Sequence, residues 1–170
     1  MKKRILFSLL FLSFAQAETI QCKVTNVIDS NNIVCKKANN EPVEVKLYQI
    51  DAPDLGQAFS QEAKHSLTSH YLNRHIDIET HGIDKYQRTL GTIYTMNMCS
   101  CYPEGDPMNV SDDCGCKFDR NLSMIQQGHA WFDKSYGENP EYQQAQEEAK
   151  QAKRGLWADT NPIPPWEWRK

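Results

Sequence analysis

The sequence predicts an α+β fold: a small, partly open five-stranded β-barrel of OB type carrying about three helices. Three observations point to it. Five short runs of strand-forming residues lie before position 99, three of them alternating clearly between apolar and polar residues, each bounded by turn-forming or charged residues. A helical pattern is inserted between the third and fourth of these runs, and two more follow the fifth. The pattern alone leaves other α+β arrangements open.

The first 17 residues stand apart from this pattern. Lys2-Lys3-Arg4 is a positive start, Ile5 to Phe14 a short apolar run, and Ala15-Gln16-Ala17 a small-residue cleavage site. That is the make-up of a secretory leader, too short to span a bilayer. The expectation is a mature chain from Glu18, exported to the periplasm or secreted, with no membrane attachment after cleavage. The leader holds three of the 19 Lys and Arg and none of the 22 Asp and Glu, so the remainder carries a net charge of −6. A broad electrostatic footprint for nucleic acid is excluded by that balance. Any polyanion must be held by a local cationic cluster and a metal.

Ile20 to Ile28 and Ile33 to Lys37 read as strands around the turn Asp29-Ser30-Asn31-Asn32, whose residue types tolerate left-handed backbone. Val43 to Tyr48 alternates apolar and charged residues as a third strand. Ser60 to Asn73 reads as a helix, with Ala63, Leu67 and Tyr71 at four-residue spacing. His75 to Thr80 and Leu90 to Met98 complete the five. Asn121 to Gly128 is a short helix. A last helix is capped by Asn139, opened by Pro140 and ended by Gly155, with Tyr142, Ala145, Ala149, Ala152 and Leu156 as its buried stripe. Residues 18–157 thus form one domain, and 158–170 a tail stiffened by Pro162, Pro164 and Pro165.

All six cysteines follow the leader, which favours disulfides in an oxidising compartment. Cys22 and Cys35 flank the first hairpin and are the preferred pair. The other four lie in a segment, 99–117, rich in Gly and Pro. Pairing Cys99 with Cys116 and Cys101 with Cys114 gives both pairs the same index sum, as neighbouring rungs of a hairpin would. The alternative is a four-thiolate zinc site at these four residues.

Two segments carry the chemistry: Val45-Lys46-Leu47-Tyr48-Gln49-Ile50-Asp51-Ala52-Pro53-Asp54 and Asp84-Lys85-Tyr86-Gln87-Arg88-Thr89. Together they resemble the two active-site stretches of the thermonuclease (staphylococcal nuclease-like) family. Gln61-Glu62-Ala63, Gln127-Gly128-His129-Ala130-Trp131, Lys153-Arg154-Gly155-Leu156-Trp157 and Pro162 to Trp168 follow in the family's order, as in its exported bacterial members. The resemblance implies an OB barrel with three helices and a calcium-assisted phosphodiesterase acting on single-stranded or unwound DNA and RNA to leave 3′-phosphate ends.

By the same resemblance, Asp51 is a metal ligand, with Ala52 giving its backbone carbonyl. Asn31 stands where the family has an aspartate, and Asp29 matches another family aspartate that could compensate; an amide oxygen still suits calcium but brings no charge. Lys46 replaces a phosphate-gripping arginine with a point charge. Asp54 replaces a glutamate general base and is shorter by roughly 1.5 Å. Arg88 matches the second arginine, Lys85 and Tyr86 match residues that contact substrate phosphate, and Tyr136 a further substrate-side tyrosine. These departures imply reduced activity. They also sustain an alternative, a catalytically inactive OB-fold module binding nucleic acid or, through the cysteine segment, a protein partner. The expected state is a monomer.

Overall fold

The computed structural model describes residues 18–98 and 115–170. Among them the strands are β1 (Thr19–Val27), β2 (Asn32–Lys36), β3 (Pro42–Leu47), β4 (Ile50–Asp51), β5 (His75–Ile83), β6 (Thr89–Met98), β7 (Gly115–Asp119) and β8 (Trp131–Phe132). The helices are α1 (Ser60–Tyr71), α2 (Arg120–Gln126), α3 (Pro140–Gln151) and α4 (Pro165–Trp168), with single 3₁₀ turns at Lys134–Tyr136 and Gly155–Ala158. None of the described helices is long and apolar enough to cross a membrane.

The expected barrel is present, and it is closed. Strands pair in the order β3-β2-β1-β5-β6, and β3 returns to pair in parallel with the start of β6 through Val45–Thr89, Lys46–Leu90 and Leu47–Gly91. Alternation along each strand sends one face inward. Ile33, Val45, Leu47, Ile78 and Ile93 are fully buried there, and Leu67 of α1 and Ile125 of α2 close the ends. Gly91 lies where the strands crowd. A Cβ on it would sit 2.5 Å from Ile78 Cγ2 and 3.0 Å from Val45 Cγ1, so only glycine lets the barrel close at this rung.

Cys22 and Cys35 are bonded across β1 and β2, with Cα atoms 5.6 Å apart. Cys99, Cys101 and Cys114 lie outside the described residues, as do the leader and the proposed zinc site. The adjoining strands pair Asn97 with Cys116, a register two residues away from the one in which Cys99 would face Cys116.

The sequence reading places the end of the last helix too late. Helix α3 opens as expected, with the Asn139 side chain accepting from Tyr142 N–H, and buries Tyr142, Ala145 and Ala149. It stops at Gln151, leaving Ala152 exposed, because Lys153 turns to φ 51° and Arg154 N–H returns to the Ala149 carbonyl. Leu156 is buried from the following 3₁₀ turn instead. Gly155 serves a backbone contact: Leu156 N–H donates to the Gly128 carbonyl at 2.9 Å, and a Cβ on Gly155 would lie 2.3 Å from that oxygen.

Asn121, fully buried, fastens α2 to the barrel. Its Nδ2 donates to the carbonyls of Tyr48 and Gly91 at 3.0 Å each, and its Oδ1 accepts from Ile93 N–H at 3.2 Å. Asn121→Ala takes this partner from Ile93 N–H and the Tyr48 carbonyl, while the Gly91 carbonyl keeps the Tyr48 N–H, and urea denaturation should show a loss of about 2 kcal/mol.

Burial holds two histidines below the usual imidazole range. His81 is stacked on Tyr48 with Nε2 2.9 Å from Thr92 Oγ1, and His129 has a buried Nδ1 with no partner. Both take up protons at lower pH in the fold than in the unfolded chain, which does so near about pH 6.5. Their contribution to stability is therefore present above that pH and lost as pH falls through the depressed folded values. Buried Asp51 and Asp119, whose carboxyls desolvation raises, act with the opposite sign. A variant comparison isolates the histidines: His129→Gln should flatten the fall in unfolding free energy between about pH 7 and 5.

Candidate active site

The turn between β1 and β2 is the hub of the site. Asp29 Oδ1 accepts from Asn31 N–H at 2.7 Å, and both Asp29 oxygens accept from Asn32 Nδ2 at 2.8 and 2.9 Å. Asp29 thus shapes the turn. Ser30 donates to the Pro53 carbonyl at 2.6 Å. Asn31 closes a two-way bond with Ala52: its Oδ1 accepts from Ala52 N–H at 2.6 Å, and its Nδ2 donates to the Ala52 carbonyl at 2.9 Å. These bonds carry the Asp51–Asp54 segment onto the turn.

Asp51 ends β4, a two-residue strand too short to show in the sequence, which pairs with β8 through Asp51–Trp131. Burial raises its carboxyl above the ordinary range, with Lys46 and then Arg169 pulling the other way. Lys46 lies on β3 opposite Asn32, so its charge acts on Asp51 across the hub.

Arg88 reaches the hub from the other side. Asp84 Oδ1 accepts from the backbone N–H groups of Tyr86 and Arg88, at 2.9 and 3.0 Å, which folds the turn. Asp84 Oδ2 accepts from Arg88 Nε and Nη2, at 2.8 and 2.6 Å, and Arg88 Nη1 donates to Asn32 Oδ1 at 2.8 Å. Desolvation of Asp84 is outweighed by these bonds, and its carboxyl is held below the usual range. Consecutive residues of one turn, Asn31 and Asn32, therefore anchor the Asp51 segment and Arg88. The Tyr136 ring meets Tyr48 edge-on at 5.1 Å. Burial raises its phenol, the carboxylates of Asp133, Asp84 and Asp51 raise it further, and Arg88 opposes them.

Of the expected site residues, Asp29, Asn31, Lys46, Asp51, Ala52, Arg88 and Tyr136 converge on this hub. Lys85 and Tyr86 stand on its outer rim: the Tyr86 ring is exposed, with Lys85 Nζ 5.0 Å and the Arg88 guanidinium 5.2 Å from its centre. Asp54 adjoins Asp51 through a residue the sequence reading missed. Arg169, just beyond α4, donates from Nη2 to Asp51 Oδ2 at 2.5 Å and from Nε to Asp54 Oδ2 at 2.6 Å. Separations of 118 and 115 residues leave no local spacing that could have revealed these pairs. Asn32 was missed too, its place beside the expected Asn31 being the only hint.

Asp51 Oδ1 is buried with no hydrogen-bond partner. An orphaned carboxylate oxygen is what a cation would take up. Among the described residues no three His, Cys, Asp or Glu side chains gather as a metal cluster, so such a cation depends on neutral oxygens beside Asp51. The Ala52 carbonyl and the Asn31 amide oxygen each keep a second lone pair for it. These are hard donors of the kind calcium uses, and the residues fit one such ion.

Known proteins bear on this arrangement. Residues 44–159 match the family described as staphylococcal nuclease homologue. The chain is 35% identical over 173 residues to a protein called an uncharacterized endonuclease in Haemophilus influenzae, covering 99% of this chain and 86% of that one. It is 34% identical over 151 residues to Protein ParB of Escherichia coli, covering 87% and 78% of the two chains. It is 31% identical over 150 residues to a protein called micrococcal nuclease in Shigella flexneri, covering 87% and 79%. The family match spans both arms of the hub, and the chain belongs to the staphylococcal nuclease homologue family.

Proposed function

We propose that this nuclease is an exported, calcium-assisted endonuclease hydrolysing phosphodiesters of single-stranded or unwound DNA and RNA to 3′-phosphate ends. The observation that carries the reading is the orphaned, buried Asp51 oxygen on one arm of a hub whose other arm holds Arg88. Calcium held by Asp51, the Ala52 carbonyl and Asn31 would neutralise the scissile phosphate and orient its attacking water.

The chain's own groups supply the rest. Arg88 spends three of its five N–H donors on Asp84 and Asn32, leaving one on each terminal nitrogen for a phosphate oxygen. Its orientation is fixed before substrate arrives, which favours charge stabilisation in the transition state. Lys46 adds a second positive charge without a planar fork. Asp54 takes the water's proton on Oδ1, since Oδ2 is held by Arg169. Its reach is shorter than a glutamate's by roughly 1.5 Å, so turnover is reduced. With a net charge of −6 after the leader, binding rests on these few cations rather than on long-range attraction.

A second reading, a binding module without chemistry, is favoured by one observation: the Asn31 amide and the Ala52 backbone already satisfy one another. Cleavage of single-stranded DNA separates the two. The mature chain should cut with calcium and stop with EDTA, and Arg88→Ala should lower kcat/KM by about 100-fold or more. Absence of calcium-dependent cleavage above that variant rejects the enzyme.

Lys46→Arg combined with Asp54→Glu restores the longer, forked groups. Turnover should rise by about tenfold or more. Strong activity appearing from none would instead assign the natural chain to the binding module.

A further inference from the structure

We infer that Arg169 is a positioning residue of this active site: one guanidinium from the C-terminal tail fixes the Asp51 and Asp54 carboxylates relative to each other. The inference rests on the phosphodiesterase reading above. Two donors of the same planar group, Nη2 and Nε, take one oxygen from each carboxylate, at 2.5 and 2.6 Å. A guanidinium holds its donors in a rigid fork, so the distance between the two acceptors is set along with their directions.

The tail that carries Arg169 is seated, not trailing. Pro165 is fully buried, the Trp166 ring meets Trp131 edge-on at 5.7 Å, and Gln57 Nε2 donates to the Ile163 carbonyl. Arg169 N–H itself closes on the Pro165 carbonyl at 3.1 Å. Trp131 is the strand partner of Asp51, so the tail docks on the element that presents the carboxylate it binds.

Asp54 has the greater need of such a partner. Its side chain is 31% exposed, against 5% for Asp51, and it lies in a loop with no strand to hold it. A short carboxylate free to rotate into solvent is a poor base, because small displacements at the reacting centre cost rate steeply. Arg169 withdraws Asp54 Oδ2 from that freedom and takes no bond from Oδ1. On Asp51 it also occupies Oδ2 alone and leaves Oδ1 unpartnered. The guanidinium therefore sits beside the cation position, not in it.

That placement has a signature no purely structural role shares. A fixed positive charge beside Asp51 repels a divalent ion, so Arg169 weakens calcium binding while supporting turnover. The test uses the mature full-length chain, with calcium affinity measured by calorimetry, kcat and KM on single-stranded DNA, and tryptophan fluorescence as a check on tail docking. Arg169→Gln should bind calcium about fivefold more tightly. Its kcat should fall by about tenfold or more with KM little changed. Arg169→Lys should not recover kcat, since a single ammonium cannot span both carboxylates. Lys170→Gln, one residue on, should behave as the wild type.

A kcat at or above wild type in Arg169→Gln would overturn the inference, making the tail an obstruction. Unchanged calcium affinity would overturn it as well, because the guanidinium would then not lie at Asp51. Should Arg169→Gln undock the tail, Arg169→Lys is judged by its loss of kcat instead. A wild type that binds calcium without cutting DNA fails the phosphodiesterase reading, while the affinity comparison still decides where Arg169 sits.

Discussion

The three-rung parallel pairing of β3 with β6 is the constraint from which the site follows. It closes the barrel, and it does so at the one place where Lys46 comes level with Leu90. The Asp84–Arg88 turn feeds directly into that pairing, so its guanidinium arrives next to Asn32, itself the partner of Lys46 across the other edge of β3. Glycine at 91 is the steric condition for the closure. Lys46 and the turn ahead of Thr89 are thereby brought to one hub by backbone pairing, and the side-chain bonds of Asn31, Asn32 and Asp84 complete it.

Electrostatics then decides what the hub can hold. Asp51 is taken from water by burial, which disfavours its charge, and is kept ionisable by Lys46 and Arg169. Asp84 performs the reverse service, giving Arg88 a counter-charge and a fixed direction. The result is an alternation of sign around one small turn in an otherwise acidic molecule. A phosphate diester meets Lys46 and Arg88 together here in a chain of net negative charge, which favours local capture over a wide binding face.

Most of the barrel was legible because two-residue alternation is a strong signal when one face is buried. The strands β4 and β8 have only two residues each and leave no period to read. Gly155 looked like a helix stop and proved to be a point of backbone contact, three residues past the cap at Ala152. The site divided in the same way. Lys46, Asp51 and Arg88 were found through resemblance to known active-site stretches, and their convergence follows from strand pairing. Arg169 escaped because its partners lie more than a hundred residues earlier and the family-like segment Pro162 to Trp168 stops one residue short of it. Contacts of that kind are written in tertiary structure only.

The close approach of Gly128 to Gly155 links distant parts of the molecule to Asp51. Trp157 follows Gly155 in the same 3₁₀ turn and meets Trp131 at 4.2 Å, and Trp131 is hydrogen-bonded in register with Asp51. A methyl group at Gly128 would crowd Trp157 Cδ1 at 3.1 Å and one at Gly155 would crowd the Gly128 carbonyl, and either shift bears on the edge-on indole pair beside the buried carboxylate. Damage to the Asp51 side of the hub can thus originate at two residues remote from it, on the far side of an aromatic relay.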